Sequence, residues 1–349
     1  MMVFEKPLFK RGLNISLNRG FDFELLKCEQ KGFIREVDFG ENVKVCSASD
    51  FAKEDFDFGN EDYFSSFNQK NASDVLFLFL KDNSVSDKPL VLSYSNMEGL
   101  FVSNVFILAG KNSKVDIVLK WKSKNKIYCG AAVKVLAKEG SKVNVVSVYD
   151  FEGTSVVQRK FGKCLQGAEV NWKELVMGGD VILSDIQNFL EGENAKSEVA
   201  SLFVSKGREV FDLNSEVFHN SSLTESKIFM RGASLDSSQS ISRGLIRIEE
   251  NSFDCKGYEK HDVLLLGDEA EADAIPQLEI LNDKVECSHG TSIGRLDEDS
   301  IFYLMSRGLS EEEAEFEILQ GYFSFVDDWV LSEELRQEIY KKLADSVVL

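Results

Sequence analysis

A short phrase recurs five times in the middle of the chain at nearly constant spacing. In each copy a small residue is followed by a charged residue and then by a β-branched residue, and the copies begin 28, 27, 29 and 29 residues apart, at Ser113, Ser141, Ala168, Ser197 and Ser226. Each copy opens a segment in which β-branched and aromatic residues alternate with polar ones, such as VDIVLKW and VNVVSVYDF. A period between about 20 and 50 residues is typical of stacked supersecondary units.

The repeat predicts a mainly β fold, a right-handed parallel β-helix. One coil cannot bury its inward face alone, so successive coils stack, with the recurrent Val or Ile in an interior ladder and the preceding charged residue facing water. The chain contains only three prolines, which suits long uninterrupted ladders. Leucine-rich repeats fit less well because their Asn/Leu consensus is absent, and a β-sandwich with evenly spaced strands is the structural alternative.

The segments on either side of the repeat differ in character. Residues 1–72 are rich in Phe, Asp, Glu and Gly without strong periodicity, and we expect a small α+β cap there, followed by the β-helix over 73–290. Residues 291–349 read as a helical domain. Asp297 is the predicted N-cap of its first helix, and Ser310 opens a second helix with a capping box.

Composition and charge exclude several classes of function. Forty Lys plus Arg against 59 Asp plus Glu give a formal charge of −19, which disfavours binding to nucleic acid. The chain shows neither a secretory signal nor an apolar run long enough to span a membrane, so we expect a cytoplasmic protein. Six cysteines without a C-x-x-C pair argue for reduced thiols rather than a disulfide framework or a zinc ribbon.

The motifs of nucleotide-binding enzymes are missing. The sequence has no P-loop and no dinucleotide-binding fingerprint, and its three histidines lie in unrelated contexts, so we expect a protein that is not an enzyme and does not hydrolyse ATP itself. An acidic cluster leaves one enzymatic alternative, a carbohydrate-active β-helix enzyme, although such enzymes are usually secreted. The cluster consists of Asp268, Glu269, Glu271 and Asp273.

Cys287 and His289 are the strongest candidates for metal ligands in the sequence. They lie two residues apart in an extended segment, and because strand side chains alternate between faces, both point the same way. Thiolate and imidazole ligate iron–sulfur centres, yet one strand supplies only part of a ligand set, so a second strand or subunit must complete the site. Cys255, one coil earlier, and Glu286, on the opposite side of the strand, are weaker candidates. The alternative is that Cys287 is a core thiol and His289 a turn residue.

The sequence around this pair resembles the C-terminal signature of the SufB/SufD family, the scaffold proteins of iron–sulfur cluster assembly. The matching residues run from about Leu264 to Ala314 and include PQLEI, ECSHG, a short GRLDED segment and FYLMSRG. The resemblance implies a scaffold that carries an iron–sulfur cluster transiently and dimerises through its β-helix with a second SufB/SufD-type subunit. In SufD-like members the histidine of the C-S-H-G turn, here His289, lies at the subunit interface and is implicated in cluster assembly.

The resemblance also implies a partner ATPase. In this family an ABC-type ATPase, SufC, docks on the C-terminal helices. The residues that match this docking region are Ile301, Phe302, Tyr303, Arg307, Gly308 and Phe316.

One departure from the family pattern affects the source of sulfur. SufB-type members carry a cysteine shortly before the proline of the P-x-[IL]-E strand, and here Ala270 stands about where it would fall. The chain is therefore either a SufD-type subunit with a SufB-type partner or a single scaffold that uses Cys287 or Cys255. A cysteine desulfurase as sulfur donor fits either case, and the sequence does not decide whether a flavin binds. The alternative from another class is a purely structural β-helix adaptor without a metal site.

Overall fold

The repeat folds into the stacked coils of a parallel β-solenoid of about 8 turns, followed by helices. The computed structural model describes residues 23–30, 32–38, 43–46, 63–325 and 333–347. The predicted mainly β, parallel solenoid is thereby confirmed. Much of the predicted N-terminal cap, including 1–22 and 47–62, lies outside the described residues, and the proposed division into three domains stays a prediction.

Eighteen strands are described, and most of those in the solenoid are nine to eleven residues long. Their bounds are β1 Ile34–Asp38, β2 Val43–Cys46, β3 Asp74–Leu80, β4 Leu90–Ser95, β5 Leu100–Ala109, β6 Lys114–Ser123, β7 Tyr128–Ala137, β8 Lys142–Phe151, β9 Ser155–Cys164, β10 Glu169–Met177, β11 Val181–Leu190, β12 Lys196–Ser205, β13 Val210–His219, β14 Glu225–Ser234, β15 Gln239–Ile248, β16 Cys255–Leu265, β17 Glu271–Ile280 and β18 Val285–Gly294.

The described residues also form four α-helices and one short 3-10 helix, Phe23–Lys27. The α-helices are α1 Tyr63–Lys70, α2 Glu298–Ser306, α3 Glu311–Phe323 and α4 Glu333–Val347. Both predicted caps are confirmed. The Asp297 side chain accepts a hydrogen bond from the Ser300 N–H, and Ser310 and Glu313 form a reciprocal capping box.

The coils form two nine-stranded sheets that face each other. Even-numbered strands from β4 to β18 pair in parallel in one sheet, and odd-numbered strands from β3 to β17 do so in the other. At the N-terminal end, β1 and β2 close the two sheets by pairing antiparallel with β4 and β3. At the other end, β17 and β18 have no further strand beside them in the part of the chain that the structure describes.

The interior is filled by the predicted ladder of β-branched residues. The recurrent residues are all buried in one core cluster: Val115, Val143, Val170, Val199 and Ile228. The charged residue before each of them faces outward, and on the same outer side ion pairs between charged residues join neighbouring coils. Lys142 pairs with Glu169 at 2.8 Å, and Lys196 pairs with Glu225 at 3.0 Å.

The structural register corrects the repeat in one detail. Val170 is paired with Ser197, not with Val199, which lies beside Trp172 instead. The last two copies of the phrase are therefore shifted two residues along the strand relative to the first three. Because side chains in a strand alternate with a period of two, the shift leaves every residue on its predicted face.

The C-terminal helices pack on the outer face of the even-numbered sheet. An apolar stripe on the even-numbered strands from β6 to β14 forms one buried cluster with residues of α3 and α4, namely Leu319, Phe323, Leu335 and Ile339. Arg231 on β14 fastens the end of α3. Its guanidinium lies 5.0 Å from the ring centroid of Tyr322 and donates a 2.8 Å hydrogen bond to the carbonyl of that residue. The helix α2 contributes no residue to this buried cluster.

An ion pair is buried inside the solenoid. Lys160 on β9 and Glu174 on β10 are each 1% exposed, and the carboxylate also accepts hydrogen bonds from Ser184 and Ser201. Burial lowers the pKa of Lys160, which the carboxylate opposes. Lys160, Ser184 and Ser201 thus satisfy the Glu174 carboxylate inside the solenoid.

We therefore predict that Glu174→Ala lowers the free energy of unfolding by about 3–5 kcal/mol, because the substitution leaves the Lys160 charge buried without its partner. Denaturant or thermal unfolding followed by circular dichroism measures this loss. Glu225→Ala removes half of an exposed pair and is expected to leave the midpoint nearly unchanged. Equal effects of the two substitutions would contradict the prediction.

Candidate functional site

The last coil of the solenoid carries the predicted pair. Cys287 and His289 lie on β18 and continue two inward-facing ladders of the even-numbered sheet, beside Gly257 and Glu259 of β16. They therefore point to the same side, as the strand spacing predicts. No described coil follows β18, so His289 is exposed at the open end of the stack, while Cys287 is half-buried against the core.

The thiol of Cys287 sits over a glycine. A Cβ atom built on Gly257 would lie only 3.1 Å from Cys287 Sγ, so a larger side chain on β16 would crowd the sulfur. Burial raises the pKa of this thiol; the Gly257 N–H opposes the rise and nearby Cys255 adds to it. The thiol therefore becomes a thiolate only above its ordinary range or when a cation binds it.

The two weaker candidates are placed differently. Cys255 is fully buried one coil back, and its sulfur contacts Thr224 Oγ1 at 3.2 Å and donates to the carbonyl of Ser221 at 3.4 Å. Glu286 faces the outside, where it forms the last ion pair of the charged ladder with Lys256 at 3.1 Å. The structure does not bring Glu286 to the side of the sheet that holds Cys287.

A group that sequence reasoning missed lies directly behind the pair. Glu259 and His261 on β16 are both 0% exposed, and the His261 Nε2–H donates to Glu259 Oε1 at 2.7 Å. Ser242 Oγ lies 3.0 Å from His261 Nδ1. Their spacing from Cys255 could have revealed them. Both lie an even number of residues after this buried cysteine on the same strand, so all three side chains face the interior.

The described residues contain no group of three or more His, Cys, Asp or Glu side chains that could hold a metal ion. Within the described residues Cys287 and His289 could therefore supply only part of a ligand set, and their role as ligands stays a prediction. The acidic cluster of the enzymatic alternative is exposed. Asp268 pairs with Arg295 at 3.0 Å, and Glu269 accepts a hydrogen bond from Ser237, an arrangement typical of a solvated surface.

The six predicted docking residues fall into two groups. Phe302 and Tyr303 project from α2 and are 71% and 56% exposed, and the Arg307 guanidinium lies 5.1 Å from the Tyr303 ring centroid. Gly308 ends the helix with a φ of +104°, which favours glycine. The other two, Ile301 and Phe316, line a cavity of about 490 Å³ between the helices and the last coils, together with Leu235, Leu266, Leu296 and Leu319.

Comparison with known proteins decides the family. The model of the SUF system FeS cluster assembly SufBD core domain matches residues 92–322, which include most of the solenoid, the Cys287–His289 pair and α2. The chain belongs to the SufB/SufD family. No described helix is both long and apolar enough to cross a bilayer.

Three relatives show how far the similarity to this SufB/SufD-family chain extends. The iron–sulfur cluster assembly protein SufD of Escherichia coli (strain K12) is 31% identical over 168 residues, which are 48% of this chain and 40% of the relative. SufD of Bacillus subtilis (strain 168) is 27% identical over 75% of the chain and 62% of the relative. The SufBD family protein ycf24 of Pyropia yezoensis is 26% identical over 75% and 57%. The chain spans about half the length of these relatives.

The geometry predicts how the cysteines differ in reactivity. In native protein we expect Cys287 to react slowly with iodoacetamide at pH 7 and much faster at pH 9 and above, because burial raises its thiol pKa. Cys255 should stay unmodified until the protein unfolds. Peptide mapping by mass spectrometry reports both rates, and labelling of Cys255 as fast as Cys287 in folded protein would refute the placement of these thiols.

Proposed function

We propose that this SufB/SufD-family chain is a non-catalytic scaffold subunit on which an iron–sulfur cluster is assembled. The observation that carries the proposal is the position of Cys287 and His289. They present one soft and one borderline ligand side by side on the last strand, at an end of the solenoid that is open in the described residues. The cluster is cargo in this role, and any ATP hydrolysis belongs to a partner.

Dimerisation through the solenoid would complete the ligand set. Among the described residues no strand pairs with the outer edges of β17 and β18, and the inward-facing Ile293 on β18 is 42% exposed. Such an edge is a template for strands of another chain. A second SufB/SufD-type subunit, identical or different, placed on this end would bury His289 and bring further ligands to Cys287.

A SufC-like ABC ATPase is the second proposed partner, docked on α2. The aromatic side chains of α2, Phe302 and Tyr303, are exposed, whereas the apolar residues of α3 and α4 are buried on the solenoid. Apolar anchors at helical spacing that enter a groove of the partner are a common mode of helix recognition. A cysteine desulfurase is the proposed sulfur donor, and the cytoplasm is the proposed compartment.

The cluster-binding half of the proposal is tested by reconstitution. Purified protein treated anaerobically with ferrous iron and sulfide should develop visible absorption and retain iron after desalting. We expect the double variant Cys287→Ser/His289→Ala to retain little iron because both ligands are gone.

The matched control is Ser288→Ala, which lies on the same strand and faces the other side. It should retain as much iron as the wild type. A colourless wild-type protein, or a double variant that binds iron as well as the control, would contradict the proposal. Either result would support the alternative, a purely structural adaptor without a metal site.

The docking half is tested by an anaerobic pull-down from the cell's own extract. Tagged wild-type protein should recover an ABC-type ATPase, and Phe302→Ala combined with Arg307→Ala should lose it, because the exposed aromatic–guanidinium pair is removed. Phe253→Ala removes another exposed aromatic side chain, in the turn between β15 and β16, and should recover the ATPase normally. Loss with both variants, or with neither, would count against α2 as the docking element.

A further inference from the structure

A row of polar side chains runs from the interior to the candidate site. Ser242 on β15 lies beside His261 on β16, which holds one carboxylate oxygen of Glu259, and both His261 and Glu259 are fully buried. Because a carboxylate only accepts hydrogen bonds, the His261 Nε2–H donates to Glu259, while Ser242 Oγ lies 3.0 Å from His261 Nδ1 and 3.3 Å from the carbonyl oxygen of Asp273. These contacts hold the imidazole ring and the carboxylate in place.

The carboxylate of Glu259 occupies a position that is otherwise apolar. Glu259 belongs to a row of residues paired side by side along the even-numbered sheet. In each of the five preceding coils this row holds a buried apolar side chain, namely Ile117, Val145, Trp172, Val199 and Ile228. Only the last two members are polar, Glu259 and then His289. Gly244 on the facing sheet makes room for the acid, since a Cβ there would lie 1.5 Å from Glu259 Oε1.

The second oxygen of the same carboxylate has no partner. Glu259 Oε2 is buried and accepts no hydrogen bond from any residue that the structure describes, which is a costly state for a carboxylate oxygen. The neighbouring member of the ladder is His289, on the adjacent strand and the same inward side, and such strands lie about 4.8 Å apart. No described residue hydrogen-bonds the His289 ring, so an acceptor and a donor that both lack a partner stand next to each other.

Metal-bound histidines supply the chemical reason for this arrangement. A histidine that ligates a metal through one ring nitrogen nearly always donates the N–H of the other to a carboxylate, a carbonyl or water, which fixes the ring orientation and raises the basicity of the ligand. A buried carboxylate oxygen one strand away, held in place by a second histidine, is suited to that role. An exposed surface acid would be too mobile and too well solvated to orient the ring.

We propose that Glu259 is a positioning residue for His289. In the iron-loaded state Glu259 Oε2 accepts the N–H of the His289 nitrogen that does not bind iron, while His261 and Ser242 keep the carboxylate in place. The inference rests on the proposed function, because it takes His289 as a ligand of the cluster. It adds a residue on β16 that touches neither iron nor sulfide.

The first test compares Glu259→Gln with wild type in binding of Co²⁺, a spectroscopic probe for the iron site, and in the reconstituted iron–sulfur cluster. We expect about 10–100-fold weaker Co²⁺ binding. The visible cobalt bands and the ¹⁴N coupling of the imidazole in pulsed electron paramagnetic resonance should also change. Glu286→Gln, an exposed acid on the outer face of β18, is the matched control and should leave all three readouts at wild-type values.

A second measurement needs no variant and so does not depend on the folding of Glu259→Gln. In wild-type protein loaded with Zn²⁺ and labelled with ¹⁵N-histidine, the free N–H of His289 should be protected from solvent exchange and should give a resolved NMR signal. A rapidly exchanging N–H overturns the proposal. So does a Glu259→Gln protein that folds and keeps wild-type affinity and spectra.

The failure of this inference differs from the failure of the proposed function. If wild-type protein binds metal, His289→Ala loses it and Glu259→Gln does not, only the positioning role is refuted. If wild-type protein binds neither Co²⁺ nor a cluster, or if His289→Ala binds as well as wild type, the scaffold site itself is refuted and the role of Glu259 falls with it.

Discussion

Each coil of this solenoid buries its inward side chains only against the coil before it and the coil after it. The interior ladders, the charged ladder outside and the position of the candidate site all depend on that stacking. A residue in the middle of the stack, such as Trp172, has neighbours on both sides and is buried. His289 has the same inward orientation but belongs to the last coil, so it is exposed. The candidate site is open to solvent because the stack of described coils ends there.

The region matched by the family model includes the candidate site and the helix that follows it. The SufBD core match includes the last coil and α2, and these two elements are joined by only three residues, Arg295 to Asp297. The helices α3 and α4 are fixed to the outer face of the solenoid by a buried apolar cluster, which leaves α2 beside the open end with its aromatic side chains in solvent. A partner seated on α2 is therefore close to β18, the strand that carries Cys287.

The repeat was sufficient to predict the solenoid. Side chains alternate with a period of two within each strand, and neighbouring strands of one sheet follow each other about 28 residues apart in the chain, which few other folds allow. The register was wrong by two residues after the copy at Ala168, yet an even shift conserves the buried face, so the fold prediction survived. Local caps at Asp297 and Ser310 were also predictable, since they depend on adjacent residues alone. Glu259 was not predicted as part of the site, because its importance depends on a neighbour 30 residues away that only the register identifies.

The two ends of the solenoid differ in their strand pairing, and this asymmetry links the protein's behaviour to its concentration. Antiparallel strands close the N-terminal end, whereas β17 and β18 leave two rows of backbone donors and acceptors without a strand partner in the described residues. Edges of this kind invite uncontrolled association when nothing covers them. A partner that covers them also raises the apparent stability of the folded chain by mass action. Supply of that partner would then govern both how long the chain stays folded and how much of it aggregates.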